Sequence, residues 1–408
     1  MTTVSLKARY VFPVAGPPIP DGIVSWDGRR IVAVGRNAAG SEVRDLGNVA
    51  LLPGLVNAHT HLDFSDLTSP LGSVGGSARV DFADWIRRVM ARTRCDLSRS
   101  VSMGLQESLR QGVTTLGEIA QPDWPLDALD DSPVQATLFH ELIAPTRDRV
   151  AAALERMDGL PDSDARQRQG LSPHAPFTVH PELLEAAVRR SAERRLPLAM
   201  HLAESAEELE LMRTGGGPLR RLLDELGAWD GETVRTGVRP MDYLHRLAAA
   251  DRALIVHGGY LDDEEIAWLA DRAERMTVVY CPRTHRWFGR RAYPLEKMLA
   301  AGVGVALGTD GRGSSPDLSV LAEMRAVARW HPTVEPAMVL QMGTCLGARA
   351  LGCENRAGTL EPGRRADWTI VALPRREADD PHRLLFESDE PVVGVSCCGR
   401  AVPPFCGD

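Results

Sequence analysis

Apolar and polar positions follow two regimes along the chain. Through the middle, short runs of β-prone apolar residues occur at 51–56, 113–116, 134–139, 171–173, 197–200, 253–256, 276–280 and 303–307. Between most of them lie stretches whose apolar residues return every three or four positions, the spacing of a helix face. In Pro181-Glu182-Leu183-Leu184-Glu185-Ala186-Ala187-Val188, proline takes a first-turn position where its missing N–H is not needed. Ser205, ahead of Ala206-Glu207-Glu208-Leu209, offers a capping hydroxyl, and the acids suit the positive end of a helix. The two ends of the chain carry β-type runs instead, at 22–26 and 30–34, then at 367–371 and 392–395, split by Gly and Asp turns. No repeat of solenoid period is visible.

Eight strand-then-helix units are what a (β/α)8 barrel requires, and an open doubly wound sheet gives similar alternation. The expectation is an α/β fold: a TIM barrel over residues 53–357, with a small β-sandwich domain formed by residues 1–52 and 358–408. The chain has 408 residues, 44% hydrophobic and 25% charged, which excludes a disordered or fibrous class. Its 47 basic against 55 acidic residues give −8, the wrong sign for a nucleic-acid or anionic-membrane partner. Without a signal-peptide core or an 18-residue apolar run, a soluble cytoplasmic protein is expected. The seven cysteines, Cys95, Cys281, Cys345, Cys353, Cys397, Cys398 and Cys406, fit no CxxC pattern and are expected to be reduced.

Chemistry in an α/β barrel belongs at the C-terminal strand ends, and the unusual residues gather there. Strand one runs into His59-Thr60-His61, the fourth into His174, the fifth into His201, the sixth into His257 and the eighth into Asp310. Eleven histidines in the whole chain make chance a poor account of four strands ending on one. Residues two apart on a strand point the same way, so His59 and His61 can reach one ion. Together with His201 and Asp310 they make an N/O donor set for one divalent metal ion: Zn2+ suits it, and Fe2+ or Mn2+ accept the same donors.

Pro53-Gly54-Leu55-Val56-Asn57-Ala58-His59-Thr60-His61-Leu62, His201-Leu202-Ala203-Glu204, Gly308-Thr309-Asp310 and Glu361-Pro362-Gly363-Arg364-Arg365-Ala366-Asp367 resemble, in order, the signatures of the amidohydrolase superfamily. The branch resembled holds cytosine, guanine and S-adenosylhomocysteine-type deaminases, aminodeoxyfutalosine deaminases and triazine chlorohydrolases. The resemblance implies a single metal on His59, His61, His201 and Asp310. The only lysines, Lys7 and Lys297, lie where neither can be the carboxylated lysine that bridges two ions in dinuclear relatives.

The same resemblance implies an aminohydrolase in which a metal-bound hydroxide displaces an amino group from an N-heterocycle such as a purine nucleoside. Asp310 takes the proton of the metal-activated water, His257 orients it, and Glu204 carries the proton to the leaving amine. Glu207 and Glu208 are read as helix-end acids. His174 and Trp85 are placed against the substrate. Arg283 and His285, where the segment Tyr280-Cys281-Pro282-Arg283-Thr284-His285 departs from the branch's His-Asn-Pro-type pattern, are placed there too, with an ion pair as their alternative. Glu118, His140 and Glu141 sit near strand ends without an assignable role. Rival readings are a chlorohydrolase or cyclic-amide hydrolase using the same metal, and a non-catalytic barrel. Relatives of this branch are commonly dimers or larger, so the small-molecule substrate and a homodimer are the partners expected.

Overall fold

The computed structural model describes residues 3–40, 42–72, 80–93, 96–163 and 167–402; Cys95 and Cys406 lie outside the described residues. Nine strands form the larger sheet: β1 (Leu55–His61), β2 (Val113–Ala120), β3 (Gln135–Leu142), β4 (Gln167–Pro173), β5 (Pro197–Leu202), β6 (Arg252–His257), β7 (Met276–Tyr280), β8 (Gly304–Leu307) and β9 (Asp310–Gly311). They hydrogen-bond in the order β8-β7-β6-β5-β4-β3-β2-β1-β9, and every pair is parallel. The two strands at the extremes of that order, β8 and β9, are separated in the chain only by Gly308 and Thr309. These two continue the ladder, since Gly308 N donates to Tyr280 O (3.0 Å) and Thr309 N to His59 O (3.1 Å).

Alternation gives each strand two buried faces. In β6, Leu254 and Val256 belong to a cluster with Val56, Ile119, Phe139, Ala199, Val279 and Ala306, while Ala253 and Ile255 pack into a different cluster with the helices. Each fully buried Leu, Ile or Val side chain contributes about 1.5–3 kcal/mol. Apolar contacts on both faces therefore fix the strand bodies, and their C-terminal ends are left to carry polar groups.

The second sheet takes strands from both ends of the chain. Its path runs Arg400–Ala401, Val392–Cys397, Trp368–Ala372, Val49–Pro53, Val4–Val11, Ile19–Asp27, Arg30–Gly35, with Glu42–Asp45 beside Val4–Val11. The apolar run at 51–56 is thus not one strand. It is cut at Gly54, where a Cβ would sit 2.0 Å from Thr114 Oγ1, so only glycine lets β1 start this close to β2.

Helix ends behave as their sequences indicate. Pro181 opens the Pro181–Arg194 helix, and Ser205 Oγ accepts from Glu208 N (3.1 Å) at the start of Ala206–Thr214. Among the described residues, no helix is long and apolar enough to cross a membrane. Cys281, Cys345, Cys353, Cys397 and Cys398 are free thiols.

Candidate active site

The strand ends converge. One ligand-capable nitrogen from each of His59, His61 and His201 lies within 4.8 Å of the others, and all three side chains are buried. Asp310 Oδ1, from the start of β9, is 3.6 Å from His59 Nε2 and 3.7 Å from His61 Nε2. The other carboxylate oxygen, Oδ2, accepts from Ser314 Oγ (2.6 Å). His257, closing β6, sets its ring, tilted by 33°, 5.5 Å from that of His201 and brings Nε2 to 3.6 Å from Glu204 Oε1.

The backbone is bent to achieve this. Ala203, His257 and Asp310 adopt φ of +54°, +70° and +57°. Left-handed backbone at a non-glycine costs on the order of 1–3 kcal/mol and persists only where the surroundings impose it. Here all three kinks lie where a strand of the larger sheet meets its loop, and all three turn a side chain or its neighbour toward the same space.

The donors are prepared for a cation. Burial, reinforced by neighbouring imidazoles, lowers His61 to about 3 and holds His201 and His257 well below the usual imidazole range, so their lone pairs are free at neutral pH. Burial opposes ionisation of Asp310, but the imidazoles around it prevail and keep its carboxyl well below the ordinary value. His59 Nε2 and His61 Nδ1 are buried without a hydrogen-bond partner, which is costly unless something else meets them. His201 Nδ1 lies 3.0 Å from His174 O, and since a carbonyl only accepts, Nδ1 carries the proton and Nε2 the free lone pair. Orphaned nitrogens, neutral imidazoles and an ionised carboxylate fit a divalent metal ion.

A cavity of about 390 Å³ opens onto this cluster. His61, Asp63, His174, His201, Glu204, His257, Asp310 and Ser314 line its polar part, and Phe64, Phe82, Trp85, Ile86 and Leu222 belong to its apolar part. Trp85, on the Phe82–Ala91 helix, is pinned by Nε1 donating to Gly313 O (2.9 Å). His174 Nδ1 meets Thr178 Oγ1 at 2.7 Å, and burial lowers this imidazole to about 4.

Arg283 and His285 do not line the cavity, which corrects their placement against substrate. Arg283 Nε donates to Glu323 Oε1 (2.5 Å), and its Nη1 and Nη2 donate to Asp317 (3.0 and 2.7 Å). Glu323 is fully buried, so the guanidinium neutralises a carboxylate that has no water. His285 Nε2 donates to Arg291 O (2.7 Å), and burial drives its imidazole down to about 4, so it offers no cation. Replacing Arg283 by Ala should cost about 3–5 kcal/mol in urea denaturation, by stranding Glu323, while KM stays unchanged.

Several contributors carried little sequence signal. Glu208, read as a helix-end acid, accepts from Ala203 N (2.9 Å) and Glu204 N (2.7 Å) and so holds the turn that presents Glu204. Glu118 takes Leu62 N on both oxygens (3.0 and 3.1 Å), fixing the residue after His61. His140 meets Gln169 (2.6 Å), and Glu141 accepts from Gln121 (2.7 Å) at the cavity wall. Arg290 Nη2 donates to Glu204 Oε1 at 2.7 Å. Ser314 had a readable cue, a hydroxyl four residues beyond a strand-end acid; Arg290 lies 86 positions from its partner and had none.

Burial raises Glu208 from 4.5 to about 7 despite its backbone donors. A carboxyl raised on folding stabilises the folded state least when ionised. The Glu208 contribution to stability should therefore be full below pH 4.5, fall between 4.5 and 7, and be lost above. The full span corresponds to about 3 kcal/mol. Glu208→Gln should flatten that window in urea titrations run across pH; an unchanged slope would contradict it.

The model of the amidohydrolase family matches residues 50–406. A 5-methylthioadenosine/S-adenosylhomocysteine deaminase of Moorella thermoacetica is 31% identical over 392 residues, covering 91% of this chain and 86% of the relative. An aminodeoxyfutalosine deaminase of Deinococcus radiodurans is 31% identical over 363 residues, 83% of each chain. The crystal structure of Helicobacter pylori aminofutalosine deaminase with methylthio-coformycin superimposes at TM-score 0.84 and 22% identity, covering 98% of this chain and 100% of that one.

Proposed function

The chain belongs to the amidohydrolase family, and from that footing we propose that it is a metal-dependent aminohydrolase acting on a purine nucleoside or a related amino-substituted N-heterocycle. The observation that carries the reading is the juxtaposition of Glu204 with His257, beside the buried imidazoles of His59, His61 and His201 and an ionised Asp310. In this reading residues 53–357 make a closed (β/α)8 barrel, supported by the continuity of β8 into β9, and residues 1–52 and 358–408 make the β-sandwich domain.

His59, His61, His201 and Asp310 would hold the ion, and their N/O set suits zinc. When bound, such an ion supplies Lewis acidity that brings a water's proton within reach at neutral pH. The protein's groups manage the rest. Asp310, kept ionised, accepts that proton, and Ser314 holds its second oxygen in place. His257 orients the water. Glu204, with burial raising its pKa against the opposing pull of Arg290, gives its own proton to the ring nitrogen as the water adds, then takes the proton of the added hydroxyl and passes it to the departing amine; the proton held by Asp310 afterwards restores Glu204.

Ammonia leaves well only when protonated, whereas chloride does not need it. A proton carrier in the cavity therefore favours deamination over the chlorohydrolase or cyclic-amide alternative. The cavity lies in the size range that buries a whole drug-sized ligand, which favours a nucleoside over a bare base. His174 contacts the heterocycle, and Trp85 stacks on the substrate's flat or apolar part. Trp85→Ala should raise KM about tenfold with kcat less affected, in steady-state kinetics on the best nucleoside. The free thiols support a reducing, cytoplasmic setting, and a homodimer is the assembly to look for. Ammonia release from a panel of adenosine-, guanine-, cytosine- and triazine-type compounds tests the proposal. Release from 5′-substituted adenosines is expected; chloride release without ammonia would select the alternative.

A further inference from the structure

Arg290 stands outside the cavity lining, yet it touches the group on which the proposed proton transfer depends. Its side chain is 4% exposed, and Nη2 donates to Glu204 Oε1 at 2.7 Å, the same oxygen that lies 3.6 Å from His257 Nε2. The guanidinium lies 4.3 Å from the ring centre of Phe288 and 5.5 Å from that of Phe82, two aromatic faces that favour a cation between them. Phe82 begins the helix that carries Trp85 over the cavity. Nη1 is buried without a hydrogen-bond partner, and among the described residues Glu204 is the one carboxylate paired with Arg290.

The segment bearing Arg290 is anchored on both sides. Gly289, at φ +59°, reverses the chain after the Pro282–Trp287 helix, and Arg290 N donates to His285 O (3.4 Å). Beyond it, His285 holds Arg291 O, and Arg291 donates to Gly259 O (3.2 Å) and Leu261 O (3.3 Å) in the loop after β6. An arginine brought in with this much support, and directed at one oxygen of one carboxylate, does more than fill space.

We propose that Arg290 is a positioning residue: its guanidinium, held between Phe288 and Phe82, fixes Glu204 Oε1 beside His257 and leaves Oε2 as the oxygen that faces substrate. This rests on the reading of Glu204 as proton carrier. A charge-assisted bond at this distance restrains the carboxylate about both of its outer torsions. Without it, Glu204 is free to rotate away from the reacting nitrogen.

The test uses the metal-loaded full chain and the best nucleoside from the panel. Arg290→Met should lower kcat about 10²-fold, the scale of a misplaced catalytic group, with KM within threefold and bound metal unchanged. Arg290→Lys, which keeps a cation, should recover at least part of the loss, and it serves as the readout if the Met variant does not fold. Added to Glu204→Gln, either change should cost no further activity, because the group being positioned no longer transfers a proton. Full kcat in Arg290→Met, or losses that multiply in the double variant, would overturn the proposal. Wild-type protein that releases no ammonia from any compound would instead count against the reading of the site as a deaminase.

Discussion

Glu204→Gln is expected to abolish most ammonia release, by about 10²–10⁴-fold in kcat, while metal content and fold are retained. The substitution keeps the length of the side chain and an oxygen that Arg290 can still donate to; it removes only the ability to carry a proton. At 1.36 kcal/mol per tenfold, the loss amounts to about 3–5 kcal/mol of barrier, too large for a mere change in packing at one isosteric site. KM should move little, since the interaction lost belongs to the transition state. Burial raises the Glu204 carboxyl, and the Arg290 guanidinium opposes that shift. Turnover within threefold of wild type in Glu204→Gln would remove Glu204 from the mechanism and return the chlorohydrolase reading to the front.

Removing the metal is expected to have an effect at least as large. Dialysis against a chelator should reduce ammonia release about 10³-fold or more, the several kcal/mol that a Lewis acid supplies, and zinc should restore it. Stability provides a second readout independent of substrate. A ligand at 100 times its Kd stabilises a protein by about 2.7 kcal/mol, so zinc should raise the Tm of the stripped protein. His61→Ala and Asp310→Ala should lose both the rise in Tm and the restored activity. In Asp310→Ala the loss is double, since the same carboxylate is both donor and proton acceptor in the proposed site. A chelator-treated protein that works as before would end the metal-dependent account.

How much of this was legible depended on the distance over which each feature is encoded. The His59 and His61 pair is local, because alternation along one strand puts both rings on one side, and the structure brings their centres to 4.9 Å. His201, His257 and Asp310 were legible through a rule of architecture, the placement of polar groups at strand ends. Ser205 and Pro181 were legible as helix starts. The run at 51–56 was read as one strand because apolar residues continue across Gly54; only the approach of Thr114, from a different strand, shows why the chain must change sheets there.

Arg283 and His285 were misplaced for a related reason. Sequence position put them just after β7, where substrate-facing residues belong, but Glu323 and Asp317, about 40 and 34 positions away, draw the arginine off. Burial then strips His285 of its charge. Arg290 was invisible because its meaning lies in Glu204, Phe82 and Phe288, contributed by three different segments. Strand-end chemistry is written in short stretches of chain; of the groups that hold it in place, Ser314 and Glu208 are written close by and Arg290 far apart.

A crystal of zinc-loaded protein measured on both sides of the zinc absorption edge decides whether these four side chains share one ion. A single strong anomalous peak per chain is expected, at about 2.0–2.2 Å from nitrogens of His59, His61 and His201 and from an Asp310 oxygen. A peak elsewhere, or zinc bound by the histidines with Asp310 turned away, would contradict it.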